Sequence, residues 1–239
     1  MTENYQKRFE FFLKQIKARA LGKPSLLLHA CCAPCGSYVL ELLAEVFDIT
    51  IFYYNPNIHP QAEYKRRLEE LKRFLREFPQ AKENNVKLIE ADYNPSEYFA
   101  ATKVEEEIEL QSEDEKGERC RRCYFLRMKK SFEFALQNNF DWFTTTLSIS
   151  PHKDAKKINE IGIALECGKN TAGNLVRLTK YLPADFKKKN GFLRSAQLSK
   201  EYNLWRQDYC GCVFSMKARD KKQTKSAQTQ TDFQARDSL

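Results

Sequence analysis

Apolar and polar positions along the chain follow two different periods, and each period predicts one kind of element. Short runs rich in aliphatic, β-branched and aromatic residues predict strands at 26–30, 49–54, 86–90 and 141–146. Longer segments with apolar residues three and four positions apart predict helices at 37–46, 61–78, 95–108, 121–138, 153–166 and 195–204. Strands that alternate with helices indicate βαβ units. We therefore expect a doubly wound α/β fold with a mostly parallel sheet and helices on both faces.

The two ends of the chain differ from this alternating body. Residues 4–21 place Tyr5, Phe9 and Ile16 at helical spacing, which predicts an amphipathic helix that packs on the body. The segment 217–239 is polar with hardly any apolar residues, which is typical of disorder. We therefore divide the chain into an N-terminal helix at 1–22, an α/β domain with the candidate site at 23–214, and a disordered basic polar tail at 215–239.

Three loops with chemically suggestive side chains each follow a predicted strand. They are HACCAPCG after the first strand, YYNPNIHP after the second and TTTLSISPHK after the fourth. In a doubly wound sheet, ligands bind beyond the carboxyl ends of the strands. We therefore expect the three loops to converge on one rim and to form one site.

Composition narrows the class of protein. No apolar stretch approaches the roughly 18 residues of a membrane span, and the charged N-terminus lacks the apolar stretch of a signal peptide. We therefore expect a cytoplasmic protein, in which cysteines are metal ligands or redox groups more often than structural bridges. The net charge of +8 fits a polyanionic partner such as nucleic acid, and it fits a merely basic, solvated surface equally well.

Seven of the eight cysteines fall in three short motifs, namely CCxxC (Cys31, Cys32, Cys35), CxxC (Cys120, Cys123) and CGC (Cys210, Cys212). The first two motifs supply at least four thiolates, which suits zinc or an iron–sulfur cluster. One motif lies at the end of a core strand and the other at the start of a long helix. The metal would therefore lie on the ligand-binding rim, which favours a cofactor that takes part in a reaction over a structural metal. The CGC thiols have three open roles: metal ligands, a strained and reducible disulfide, or an electron shuttle. Cys167 stands alone and is expected to be a buried apolar residue.

Polar side chains on the other loops and on a basic run are candidates for substrate binding. They are Tyr54, Asn55, Asn57, Thr145, Thr146, Lys188, Lys189, Arg194 and Arg206. Asparagines at a strand end are often only turn residues, and hydroxyls before a helix are often only caps. The same groups also suit recognition of a base and of an anion. The basic run is either a solvated face or an RNA-binding surface with interleaved aromatic residues, and its place beside CGC favours the second.

Six stretches of the chain, in order, carry a family resemblance. They are LLLHACCAPCGSY, FYYNPNIHPQAEYKRR, DYNPSEYF, GERCRRCYFLRM, FTTTLSISPHKD and DFKKKNGFLRSAQLSKEYNLWRQDYCGC, and they span about 26–212. Together they resemble the epoxyqueuosine reductases of the QueH family. One departure is Trp205, which stands where the family usually has a tyrosine, and the aromatic character is kept.

The resemblance implies a reductase that converts epoxyqueuosine to queuosine at the wobble position of tRNA and removes the epoxide oxygen as water. It implies a Rossmann-like sheet, tRNA and an unidentified electron donor as partners, no membrane, and no cobalamin. It also implies a 4Fe-4S cluster held by cysteines of CCxxC and CxxC. A second, mononuclear iron beside this cluster is compatible with the number of thiols.

The thiols can then be divided between two centres. We expect the cluster to use Cys32, Cys35, Cys120 and Cys123. We expect a second metal or dithiol centre to use Cys31, Cys210 and Cys212. Cys210 and Cys212 are candidate catalytic thiols, and Asp208 and Tyr209 beside them are candidate proton donors.

Two other classes of protein stay open at this point. One is a zinc-stabilised RNA-binding module without a redox role. The other is a tRNA sulfur transferase, which needs an SGGxDS-like pyrophosphate loop after the first strand. HACCAPC stands there instead, which argues against nucleotide activation.

Overall fold

The sheet has five strands, all of them parallel. A computed structural model describes residues 3–18, 22–167, 178–221 and 223–224. The strands are β1 (Ser25–His29), β2 (Asp48–Tyr53), β3 (Lys87–Glu90), β4 (Trp142–Thr145) and β5 (Lys180–Tyr181). They pair in the order β3-β2-β1-β4-β5. The predicted doubly wound α/β fold is confirmed, and the short edge strand β5 is an element that the sequence pattern did not predict.

Side chains of β1 alternate between two hydrophobic cores, one on each face of the sheet. Leu26 and Leu28 pack in one core with Val39. Leu27 packs in the other core with Met128. A central parallel strand is buried on both faces, and this explains why β1 is a continuous apolar run instead of an alternating one.

The helices are α1 (Tyr5–Ala18), α2 (Ala33–Leu43), α3 (Gln61–Glu77), α4 (Pro79–Glu83), α5 (Pro95–Thr102), α6 (Glu118–Gln137), α7 (Ala155–Cys167) and α8 (Gly191–Glu201). Each predicted helix is present, and α4 is an addition. α2 begins before the predicted start because the Cys32 sulfur accepts the N–H of Cys35 and caps the helix. α5 ends before 108 because Lys103 adopts the left-handed conformation (φ 56°) that terminates helices. No helix among the described residues is long and apolar enough to cross a bilayer.

Both ends of the described chain pack on the α/β body. Phe9 of α1 is 1% exposed and meets Phe186 edge-on, with ring centroids 5.4 Å apart. Residues 213–221 are helical, so the predicted disorder does not hold for 215–221. The reason is that Phe214 is buried beside Tyr98 and anchors this turn of helix. Residues 225–239, the rest of the predicted tail, lie outside the described residues.

The strand order reverses between β1 and β4. The chain adds β2 and β3 on one side of β1, then crosses to the other side and adds β4 and β5. A crevice opens at such a reversal, outside the carboxyl ends of the two strands. The loops that follow β1 and β4 therefore border the place where a ligand binds in folds of this kind.

Candidate active site

Three thiols lie together where β1 ends. The Sγ atoms of Cys31, Cys32 and Cys35 all lie within 4.8 Å of one another, and those of Cys31 and Cys32 are 3.8 Å apart. We call these three residues the thiol triad. Across the described part of the chain, it is the one group of three potential metal ligands at this spacing. Three thiolates supply three positions of a tetrahedral metal site, which leaves one position for another ligand.

The thiol triad is a consequence of the turn from β1 into α2. Cys32 is in extended conformation just before the helix, and Pro34 occupies the first turn, where its fixed φ favours a helix start. Cys35 follows Cys32 by three positions, and its N–H donates to the Cys32 sulfur at 3.4 Å. Because the N-terminus of a helix carries positive potential, this turn stabilises anionic sulfur.

The three buried thiols do not share negative charge equally. Hydrogen bonds from the thiols of Cys32 and Cys35 hold the pKa of Cys31 well below its usual range. Burial and the bond to Cys31 raise the pKa of Cys32 to about 12. The bond to Cys31 likewise raises the pKa of Cys35. The triad therefore favours negative charge on Cys31 over the other two thiols.

Two buried cations face the cysteines. Lys153 is 7% exposed and Arg127 is 1% exposed. Burial disfavours the charge of Lys153, but the thiols of Cys210 and Cys31 raise its pKa above the usual value. Burial also opposes the charge of Arg127, and the thiols of Cys123 and Cys31 raise the pKa of that guanidinium. The two cations thus lie between the three cysteine motifs and supply the positive charge that buried thiolates require.

The CxxC motif lies in the first turns of α6, beside the CGC motif. Cys123 and Cys212 are buried in one apolar cluster together with Tyr98. Burial raises the pKa of Cys120 to about 11 and that of Cys123 to about 12. The structure therefore brings these two motifs together, and none of their thiols joins the 4.8 Å group of the triad in the described residues.

The CGC loop is fastened to α3 and to the loop after β2. The Arg67 guanidinium donates to the carbonyls of Cys210 at 3.2 Å and Tyr209 at 3.4 Å. Gly211 has φ +123°, and a Cβ atom there would lie 3.0 Å from the Arg67 Nη1 atom. Its carbonyl accepts the N–H of His59 at 2.8 Å. Glycine is therefore required at the centre of CGC for both the backbone conformation and the close approach of Arg67.

Asn55 joins the loops that follow β1 and β2. Its Nδ2 donates to the carbonyl of Ala30 at 2.9 Å, and its Oδ1 accepts from Arg127 Nη2 at 2.5 Å. The side chain is 1% exposed. Both amide groups are therefore engaged, and Asn55 holds Arg127 in place within the rim.

His29, Tyr54 and Thr145 form a buried polar group below the rim. Burial lowers the pKa of His29 to about 3, so the ring is neutral. Its Nε2–H donates to the Tyr54 carbonyl at 3.2 Å, and the Thr145 hydroxyl donates to Nδ1 at 2.7 Å. The Tyr54 hydroxyl donates to the Glu97 carboxylate at 2.5 Å. The polar groups of Tyr54 and Thr145, two predicted substrate-binding residues, are therefore occupied within the protein.

Three buried oxygens near the rim lack a hydrogen-bond partner among the described residues. They are Oδ1 of Asn57, Oγ1 of Thr146 and Oε1 of Gln207. An unsatisfied buried polar atom costs about 1–3 kcal/mol. Of the predicted binding residues on the rim loops, Asn57 and Thr146 are thus the ones that keep a polar atom free for a ligand.

Most cations of the basic run, which comprises Lys188, Lys189, Arg194 and Arg206, have partners within the protein. Lys189 forms an ion pair with a glutamate of α1, and Arg194 binds a glutamate of α2 at 3.0 Å. The Arg206 guanidinium lies 5.5 Å from the ring centroid of Phe192. Lys188 is exposed and forms no ion pair within the described ranges. Of the four predicted cations, Lys188 is therefore the one most available to a phosphate.

Asp208 and Tyr209 are poorly suited to donate a proton. Arg219 binds the Asp208 carboxylate at 2.8 Å and holds its pKa below the usual value. The Tyr209 hydroxyl donates to the carbonyl of His59 at 2.5 Å, and burial raises its pKa. Asp208 is thus ionised at neutral pH, and the Tyr209 proton is engaged by the backbone.

The sequence profile of the family described as "Epoxyqueuosine reductase QueH" matches residues 26–218 of the chain. The chain belongs to this family. A QueH relative from Streptococcus pyogenes serotype M1 is 44% identical over 195 residues, which are 82% of this chain and 71% of the relative. A Staphylococcus epidermidis relative is 39% identical over 212 residues, 89% of this chain and 84% of its own length. An Acinetobacter baylyi relative is 37% identical over 193 residues, 80% of either chain.

The region that matches the QueH family contains the complete rim. It begins within β1 and ends in the helical residues 213–221 that follow CGC. All three cysteine motifs and the loops after β1, β2 and β4 lie inside it. α1 lies outside it, although its Phe9 packs in the main core.

Cys167 is exposed, so the prediction that it is a buried apolar residue is wrong. It is the last residue of α7, whose buried face is formed by side chains such as Ile158 and Ile161. Position 167 falls outside this face. The eighth cysteine of this QueH member is therefore separate from the rim.

Several residues of the candidate site were not predicted with the role that the structure gives them. Arg127 follows Cys123 by four positions, so both lie on one face of α6, and this spacing was an available signal. Lys153 belongs to a predicted rim loop, but lysines are rarely buried, and its burial had no local signal. Arg67 and Gln207 become part of the site only through contacts with the CGC loop and with Cys32.

Proposed function

We propose that this protein reduces epoxyqueuosine to queuosine at the wobble position of tRNA. The observation that carries this proposal is the thiol triad at the strand-order reversal, in a chain that belongs to the QueH family. The chain is an oxidoreductase, as its relatives are. The reaction removes the epoxide oxygen as water, consumes two electrons and two protons, and leaves an alkene in the ring.

The proposed resident cofactor is a 4Fe-4S cluster held by the thiol triad and one thiol of CxxC. The donor set fits, because such clusters take four cysteine thiolates and the triad supplies three at short mutual distances. This assignment includes Cys31, which the earlier partition placed in a second centre. Positive charge from Lys153 and Arg127 suits a negatively charged cluster. When bound, the cluster supplies the electrons that side chains cannot supply.

The two CGC thiols are suited to a second centre. Cys212 packs beside Cys123, and Arg67 holds the backbone of Cys210. We propose that these CGC thiols either bind a mononuclear iron or act as a dithiol next to the cluster. This proposal is supported by the proximity of the CGC loop to the CxxC motif.

The rim residues bind and orient the substrate ring. Asn57, Thr146 and Gln207 each keep a buried oxygen without a partner in the described residues. Such atoms are suited to hydrogen bonds with polar groups on the ring of the modified nucleoside. Asn55 and Thr145, whose polar groups are engaged, position Arg127 and His29 instead.

The proposed partners are tRNA and an electron donor whose identity the chain does not specify. A net charge of +8 and the exposed Lys188 support a polyanionic partner. A cytoplasmic location is the corresponding proposal, because tRNA modification and reduced thiols both belong to that compartment.

Anaerobic purification tests the cofactor. We expect a brown protein with broad absorbance in the visible range and with iron and acid-labile sulfide on analysis. A colourless protein that contains zinc alone would support the RNA-binding module and overturn the proposed redox role.

A cellular assay tests the reaction itself. The gene is expressed in a bacterial strain that lacks its own epoxyqueuosine reductase, and tRNA nucleosides are quantified after digestion. We expect queuosine to appear at the expense of epoxyqueuosine. A nucleoside profile identical to that of the empty strain would contradict the proposal, provided that the protein accumulates.

A further inference from the structure

We propose that a surface pocket beside the thiol triad binds the base of the wobble nucleoside, stacked on Trp205. This inference rests on the proposed function. The pocket has a volume of about 340 Å³ and lies between the start of α3 and the segment 205–219. Sites for small ligands begin at roughly 300 Å³, so one nucleobase fits.

Trp205 supplies a stacking platform in this pocket. Its side chain is 42% exposed, whereas large aromatic residues in this fold are mostly buried. The Arg66 guanidinium lies over one face of the indole ring, 3.6 Å from its centroid, so a base would stack on the opposite face. Arg66 forms no ion pair within the described ranges, so its positive charge is not cancelled there. Single-stranded RNA is typically bound by such aromatic and guanidinium surfaces, which stack on the faces of unpaired bases.

The charges that line the pocket favour a neutral, planar group over a phosphate. The Asp208 carboxylate binds Arg219 at 2.8 Å. The Glu63 carboxylate binds Arg67 at 2.7 Å. Both carboxylates thus remain in the wall with their charges balanced by arginines. A phosphate would meet the unpaired guanidinium of Arg66 but also two carboxylates in this mixed wall, whereas a base needs only the ring surface and hydrogen bonds at its edge.

Gln207 connects the wall of the pocket to the thiol triad. This residue lines the pocket two positions after Trp205, and its Nε2 donates to the Cys32 sulfur at 3.1 Å. Its Oε1 is buried and has no partner among the described residues. A base stacked on Trp205 would therefore have its ring substituent directed along Gln207 toward the thiols, where the epoxide is reduced.

RNA binding by the anaerobically purified protein tests this inference. The probe is an anticodon stem-loop with unmodified guanosine at the wobble position, so that binding occurs without turnover. We expect Trp205→Ala to bind it roughly 5- to 150-fold more weakly, the range measured when a stacking aromatic is removed. Trp205→Phe should keep most of the affinity. Phe11→Ala, which removes a 58% exposed aromatic side chain from α1, should leave binding unchanged.

A second probe identifies the base that stacks. The same stem-loop with an abasic wobble position should bind wild type as weakly as Trp205→Ala binds the intact probe. Trp205→Ala should bind the abasic probe as strongly as wild type binds it, because the substitution and the missing base remove the same contact. Independent, additive losses would overturn the wobble assignment, and an unchanged affinity of Trp205→Ala would overturn the pocket.

The two proposals fail in distinguishable ways. If Trp205→Ala binds as wild type does while the gene still restores queuosine in cells, the pocket is wrong and the proposed function stands. If wild type neither binds the stem-loop nor restores queuosine, the proposed function is wrong and the pocket inference fails with it.

Discussion

Replacement of Arg67 by methionine tests whether the CGC loop is held by a buried cation. The Arg67 side chain is 1% exposed and pairs with Glu63, which is 12% exposed, at 2.7 Å. The same guanidinium donates to the carbonyls of Cys210 and Tyr209. Methionine retains most of the volume and removes the charge and all three hydrogen bonds.

The magnitude follows from this geometry. Removal of one partner of a buried ion pair costs about 3–5 kcal/mol, since the other charge is left uncompensated. Glu63 keeps slight access to water, so we expect a loss of about 3 kcal/mol in the free energy of unfolding. Lys72→Met on the same helix is the matched control. It breaks pairs with Glu69 and Glu90 in which the lysine is 34% exposed, and such a surface pair contributes about 0–1 kcal/mol.

Urea unfolding of the metal-free proteins, followed by circular dichroism, measures both changes. The double variant Arg67→Met with Glu63→Gln should recover part of the loss, because the uncompensated carboxylate is gone. Metal content after anaerobic purification gives a second readout and should fall for Arg67→Met but not for Lys72→Met. A loss no larger than that of Lys72→Met, with no recovery in the double variant, would refute the reasoning.

Three further predictions concern the core, the RNA surface and the thiols. Phe9→Ala should lower the free energy of unfolding by about 3–5 kcal/mol and Phe11→Ala by less than about 0.5 kcal/mol in urea titrations, because only the first ring is buried. Equal losses of unfolding free energy in the two variants would contradict the packing of Phe9 in the core. Lys188→Ala should weaken binding of the stem-loop and reduce the slope of log affinity against log salt by about 0.7, whereas Lys189→Ala, already paired within the protein, should change it less. Equal slopes in both variants would contradict a specific role of Lys188 in RNA binding. Serine in place of any member of the thiol triad should abolish acid-labile sulfide and most of the bound iron on elemental analysis, and Cys167→Ser should retain both. Full iron content in all the triad variants would exclude the triad as the ligand set.

Local pattern determined most of the fold. A short continuous apolar run between helical segments is typical of a central parallel strand, so β1 and its parallel neighbours were predictable. The loops that follow the strands were predictable for the same reason, because parallel strands end at one edge. Helix ends were less predictable, since the caps at Cys32 and Lys103 depend on single side-chain and backbone conformations.

The sequence also determined which chemical groups are present, namely seven thiols in three motifs and a basic, aromatic segment beside CGC. Their partners were decided by tertiary structure. The Thr145 hydroxyl is engaged by His29, 116 positions away, and Gln207 reaches Cys32 across 175 positions. Lys153 became a buried cation through packing on the rim. Periodicity arises from neighbours within a few positions, whereas these contacts arise where distant segments are packed together, and so only the folded chain specifies which polar groups are satisfied and which are left for a ligand.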